Sequence, residues 1–262
     1  MSNAALHVAR TGLDAQAARM RVIANNLANV NTTAFQRERA EFQTLSYQTL
    51  TAPGAASSGE SRYAIGNSLG SGVQMTGVAR AFNQGPMQST GNPYDLAIQG
   101  DGYFQVQQPD GTTAYTRAGN FQVSAEGQLV TSEGFPLQPD IRVPEGAQSV
   151  TIGADGKVTA QMAGEAEATE VGQIELARFV NPAGLLPLGD NLYGVTQASG
   201  EAQVGAAGAE GRGVLRQGNL EGSNVNVVQE LVDMIETQRA YEVNSKMISA
   251  TDEMLRNANQ QL

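Results

Sequence analysis

Apolar positions recur at two different periods along this chain, one near each end and another through the middle. Near the amino terminus Leu6, Leu13, Met20 and Leu27 fall seven residues apart, with Ala9, Ala17, Ile23, Ala24 and Val30 flanking them on the same face. That spacing predicts an amphipathic helix. It is expected to stop near Asn25, Asn26, Asn29 and Asn31, because asparagine tolerates a left-handed cap and its amide competes with helical hydrogen bonds. Toward the other end Val227, Met234, Tyr241, Ile248 and Leu255 repeat at the same interval, joined by Leu231, Ile235 and Met247 and interrupted by Gln238, Ser245 and Asp252. Asn226 followed by Gln229 resembles a capping box that starts this second helix, and nothing breaks it before about Asn257. Each helix would be roughly 40 Å long, at or beyond the diameter of a small domain. Narrow heptad stripes of that length suit helix pairing, so the two chain ends are expected to meet as a coiled coil.

Between the helices the period shortens. Strand character marks Tyr103 to Val106, Asn120 to Val123, Ile141 to Val143, Ser149 to Ile152 and Gln173 to Phe179. Turns are signalled at Pro109-Asp110-Gly111, Glu126-Gly127 and Asp155-Gly156, where glycine supplies positive φ. The fold class expected is mainly β with terminal α-helices. Residues 1–35 and 222–262 form the helical domain, 36–72 an extended connector, and 73–221 an all-β domain. Thr51 to Glu60 and Ser199 to Gly213 are rich in small residues and are read as segments without a core.

Composition narrows the function classes. The chain has 262 residues, 40% of them hydrophobic, with 30 glycines, no cysteine and no tryptophan. Disulfides, zinc-thiolate sites and thiol nucleophiles are thereby excluded. A net charge of −10 without a dense basic run argues against nucleic acid as a partner. The amino terminus carries no ordinary signal peptide, and no apolar run is long enough to span a bilayer.

The run Ile23-Ala24-Asn25-Asn26-Leu27-Ala28-Asn29-Val30-Asn31-Thr32-Thr33-Ala34-Phe35 resembles the amino-terminal signature of the rod and hook axial proteins of the bacterial flagellum. Two carboxyl-terminal runs are similar to the distal rod members of that family more than to their rod or hook relatives. They are Leu220 to Val227, with Ser223, Asn224 and Val225, and Glu236 to Lys246, with Gln238, Arg239, Ala240 and Tyr241. Gln99-Gly100-Asp101-Gly102-Tyr103-Phe104 and Tyr115 to Phe121 resemble motifs of the family's β domain, and Ser46 to Tyr63 resembles the stretch that sets the straight distal rod apart from the curved hook. The resemblance implies a structural subunit of the basal-body rod in the periplasm, polymerising with itself through its terminal helices, with the β domain outward, into a drive shaft that carries torque from motor to hook. Implied partners are the proximal rod proteins, the hook protein, the P and L ring proteins, the rod cap and the flagellar type III export apparatus. A hook or proximal rod subunit is the alternative within the family.

The candidate assembly interface is Leu6, Leu13, Met20, Ile23, Leu27, Val227, Leu231, Met234, Ile235, Tyr241, Ile248 and Leu255. From pattern alone an intramolecular hairpin and a contact between copies stand equal; the resemblance selects the contact between copies, in which head-to-tail patches generate a filament. The asparagines 25, 26, 29 and 31 are read either as interface amides or as caps and turn formers. Asp101, Asp110 and Asp155 beside glycines invite a calcium reading, but the spacing of a calcium loop is missing and hairpin turns are expected. No cofactor, metal or small-molecule substrate is expected, and no enzyme. A carbohydrate-active enzyme or adhesin would need acid–base pairs such as Asp95 with Asp101 or Asp140 with Glu145. The single histidine, His7, and the lack of a nucleophile elbow leave other hydrolytic chemistry nothing to build on.

Overall fold

The computed structural model describes residues 2–54, 64–162 and 168–260. The chain divides into two compact units, one of residues 1–28, 38–81 and 226–262, the other of 29–37 and 82–225. Two terminal helices and a strand-rich middle, as the two periods require, make the fold mostly β.

The first unit holds α1 (Ser2–Ala28), β1 (Glu38–Thr44), β2 (Tyr47–Thr51), β3 (Asn67–Gly70), β4 (Val73–Arg80) and α2 (Val227–Gln260). Strands β1 and β4 pair antiparallel from Glu38↔Arg80 to Thr44↔Val73, and β2 pairs with β3. Helix α1 lies along α2 and across β1 and β4, burying Ala9, Ala15, Ala18, Val22 and Ile23. It ends at the asparagine cluster, where Thr32 donates its backbone N–H to the Asn29 carbonyl and its hydroxyl to Asn29 Oδ1. At the start of α2, Asn226 Oδ1 accepts the N–H groups of Val228 (3.0 Å) and Gln229 (3.3 Å), satisfying donors that the first turn leaves free. The second half of the expected capping box is replaced: Gln229 Nε2 donates to Asp233 Oδ1 instead.

The second unit holds a five-stranded antiparallel sheet in the order β11-β7-β8-β17-β16, built from β7 (Phe104–Gln107), β8 (Thr113–Thr116), β11 (Leu137–Gln138), β16 (Leu186–Gly189) and β17 (Leu192–Gly194). A three-stranded sheet joins β12 (Ala147–Ile152), β13 (Lys157–Met162) and β14 (Thr169–Gln173). Four strand pairs complete the unit: β5 (Met87–Ser89) with β20 (Asn219–Glu221), β6 (Leu96–Gln99) with β19 (Val214–Gln217), β9 (Gln122–Val123) with β10 (Leu129–Val130), and β15 (Glu175–Arg178) with β18 (Gln203–Ala206). Alternation places Val150 and Ile152 of β12 and Val158 and Ala160 of β13 on one inward face. Val150, Ile152 and Val158 join a core around Leu96, Ile98, Phe104, Phe121, Leu137 and Leu176. A second cluster stacks Tyr103, Tyr115, Phe179 and Tyr193 edge to face. Gly119 lies so close to the Leu96 carbonyl that a Cβ would collide with it, which is why the turn between Arg117 and Phe121 requires glycine there.

The structure revises three local readings. Gln173 to Phe179 is not one strand: it breaks at Ile174, whose N–H turns to the Gly156 carbonyl at 2.7 Å. Ile141 to Val143 forms only a single bridge, Gln128↔Arg142. Ser199 to Gly213 contains β18 and buries Ser199, Ala207 and Arg212. Here a guanidinium does what apolar bulk would do elsewhere: Arg212 donates to the carbonyls of Gln203, Val204 and Ala209. Of the Thr51 to Glu60 run, residues 55–60 lie outside the described residues.

One buried ion pair anchors the second unit. Arg117 Nη2 lies 2.8 Å from Glu221 Oε2, and the same guanidinium donates to the carbonyls of Gly100 and Gly102. Glu221 Oε1 accepts the N–H of Gly85, and its carbonyl accepts the N–H of Ala34. Arg117→Met, which leaves that carboxylate buried without its cation, is expected to destabilise the unit by about 3–5 kcal/mol in urea unfolding. Arg117→Met with Glu221→Leu is expected to recover part of the loss. Burial pushes the neighbouring Tyr103 phenol from 10.0 up to about 12, against the pull of Arg117. Folding therefore favours the neutral ring, so this contribution is full below pH 10 and is lost as pH rises toward 12. Ultraviolet titration is expected to show a late tyrosinate step that Tyr103→Phe removes.

Candidate assembly surface on the terminal helices

Helices α1 and α2 run antiparallel, and the contacts along their seam are small and polar. A Cβ on Gly12 would sit 3.2 Å from Asn244 Nδ2, Arg19 approaches Asp233 at 3.8 Å, and Asn26 Nδ2 donates to Glu230 Oε2 at 3.1 Å. Glu230 and Thr237 are each 0% exposed. Thr237 returns its hydroxyl to the Asp233 carbonyl at 2.6 Å. The seam of α2 thus follows Glu230, Thr237 and Asn244, a heptad of polar residues.

Asn26 is the joint of this unit. Only 1% exposed, its amide accepts the N–H of Glu38 and donates to the Glu38 carbonyl, both at 2.8 Å, as a neighbouring strand would. With the third bond to Glu230, one side chain ties the end of α1 to the start of β1 and the first turn of α2. Asn25 donates to Glu38 Oε2, and Arg80 closes on Glu38 Oε1 at 2.8 Å. Asn29 forms a turn, whereas Asn31 borders a shallow polar concavity of the second unit.

The sequence-predicted positions divide. On α1, Ile23 is buried, and Leu6, Leu13, Met20 and Leu27 are half-buried. On α2, Met234 and Ile248 are half-buried beside the seam, while Val227, Leu231, Ile235 and Tyr241 are exposed. The side chain of Leu255 lies outside the described residues. The apolar stripe of α2 therefore does not form the seam, which is rotated about 40° from Met234 and Ile248, the angle set by a four-residue step. Sequence reasoning missed Val228 and Val232. With Leu231 and Ile235 they repeat at i, i+3, i+4 and i+7, the spacing of a single helical face, and that spacing was the available signal. On the helical wheel this face stands opposite the seam. Val228 is 71% and Ile235 51% exposed. Val243, Met247 and Met254 are also exposed farther along α2.

Four of the acidic groups considered for other chemistry have local duties. Asp95 accepts from Thr90 and Asn92, and Asp140 pairs with Arg142. Asp155 accepts the N–H of Lys157. The Thr112 hydroxyl and N–H hold the Asp110 carboxyl below its usual range, as in an ordinary turn.

Three regions match families of known proteins. Residues 6–36 match the family described as "Flagella basal body rod protein", residues 97–160 "Flagellar hook protein FlgE/F/G D1 domain", and residues 216–261 "Flagellar basal body rod FlgEFG protein C-terminal". The flagellar basal-body rod protein FlgG of Buchnera aphidicola is 48% identical over 255 residues, 97% of this chain and 98% of its own. FlgG of Caulobacter vibrioides is 46% identical over 257 residues, 98% of each chain. FlgF of the same organism is 39% identical over 245 residues, 92% of this chain and 90% of its own.

Asn26→Ala removes all three bonds of the joint and strips Glu230 of an amide donor. It is expected to destabilise the helical unit by about 1–3 kcal/mol, read as an earlier loss of helical circular dichroism in urea. Val228→Ala, on the exposed face, is expected to shift the same curve by less than about 0.5 kcal/mol.

Proposed function

Because the chain belongs to the FlgG family of flagellar basal-body rod proteins, structural subunits of the flagellum, we propose that it is the distal rod subunit, self-assembling into a straight tubular shaft that carries torque to the hook. The observation that carries this reading is the exposed face Val228, Leu231, Val232 and Ile235. A face of branched aliphatics opposite a satisfied polar seam is unoccupied within one chain, and each such side chain gains about 1.5 kcal/mol or more when covered. In the polymer the helices of neighbouring copies cover it as coiled-coil partners, a head-to-tail contact that does not close on itself. The exposed Tyr47, Leu50 and Leu69 of β2 and β3 support a second surface for the same purpose.

The higher identity to FlgG than to FlgF within one organism favours the distal over a proximal position. The proximal rod, hook, P and L ring and rod-cap proteins are its neighbours in this reading, and the periplasm its location. Export unfolded through the flagellar type III apparatus belongs to the same reading, which the lack of cysteine suits. No described helix is long and apolar enough to cross a membrane.

Electron microscopy of the concentrated protein, seeded where necessary with proximal rod, is expected to show straight tubes for the wild type and none for Leu231→Asp with Ile235→Asp. The melting temperature of that monomer is expected to stay unchanged, since both sites are exposed. Leu13→Asp or Ile248→Asp, at half-buried positions, is expected to lose both assembly and monomer stability. Normal tubes from the Leu231/Ile235 variant would refute the assigned surface.

A further inference from the structure

The second unit carries a cleft of about 410 Å³ toward which four glutamines converge: Gln105 and Gln107 from β7, Gln138 from β11, and Gln128 from the turn before β10. None of their side-chain amides makes a hydrogen bond to another described residue, although amides elsewhere in the unit, such as Gln84 and Gln217, are fully used. Gln105 is only 8% exposed, and its amide atoms, unlike the fully buried Gln36 Oε1, keep contact with solvent. Two carboxylates share the cleft. Asp140 is already paired with Arg142, whereas half-buried Glu175, on β15, has no cationic partner among the described residues.

We infer that this cleft is a binding site for an extended peptide segment of another protein that presents a lysine or arginine to Glu175. A peptide group offers one donor and one acceptor, and each glutamine amide can answer both. Such amides can therefore answer backbone groups without reading side chains, and the carboxylate of Glu175 fixes where a positive charge must fall. The chain's net charge of −10 adds attraction for a basic segment. Phosphate-bearing ligands are repelled by the same carboxylates. A glycan fits less well, because no aromatic ring lines the cleft to stack against a sugar. The surface belongs wholly to the second unit and is independent of the helical assembly face.

The test is nuclear magnetic resonance of the full-length labelled chain, following the side-chain NH2 signals of the four glutamines during titration with acetyl-Gly-Lys-Gly-amide. Saturable movement of those signals is expected, with binding weakened about fivefold or more when norleucine replaces lysine or in Glu175→Gln. Glu145→Gln, an exposed acidic change outside the cleft, is expected to leave binding unchanged. The proposal is overturned if the signals do not move at millimolar peptide, if the norleucine peptide binds equally well, if Glu145→Gln weakens binding as much as Glu175→Gln, or if chitotriose moves the signals while the peptide does not.

Discussion

A single buried amide holds the helical unit in register. Asn26 bonds both backbone groups of Glu38 and the carboxylate of Glu230, so helix end, strand start and opposing helix are fixed by one side chain with two donors and one acceptor. No apolar residue could do this, since a hydrocarbon would leave two buried backbone groups and a carboxylate without partners. The remaining contacts of the seam, Arg19 with Asp233 and Gly12 against Asn244, fall into place along the register this joint sets.

The consequence is an inversion of the usual amphipathic arrangement. Helix α2 turns Glu230, Thr237 and Asn244 toward its own chain and Val228, Leu231, Val232 and Ile235 outward. Directional bonds hold the hairpin at one register, while the aliphatic face of α2 contributes little burial within its own chain. The β unit shows the opposite economy, with a closed apolar core and a buried Arg117–Glu221 pair.

Much of this was legible in the sequence. Seven-residue spacing disclosed both helices, Asn226 disclosed the α2 cap, and Gly-containing turns disclosed the hairpins around Asp110 and Asp155. The direction each stripe faces was not, because Leu231 and Ile235 read as core formers whether the partner is the same chain or another. Glu230 and Thr237 carry no apolar signal, and the amide of Asn26 and the carbonyl of Asp233 show why they can be buried. The Ser199 to Gly213 run misled for a related reason: Arg212 organises it through carbonyls, which leave no trace in hydropathy.

The ends of the β unit are tied to one another. Ala34 and Gly85 both donate to Glu221, Gly222 donates to the Pro86 carbonyl, and Asn224 links the N–H of Arg37 to the Asn83 carbonyl. The segments around residues 34–37, 83–86 and 221–224 therefore meet in one knot. Such a unit behaves as a cassette: its distant loops can lengthen, shorten or be exchanged while the knot keeps the exits at fixed spacing. Variation in those loops is thereby uncoupled from the spacing at which the segments 29–37 and 82–225 leave the unit.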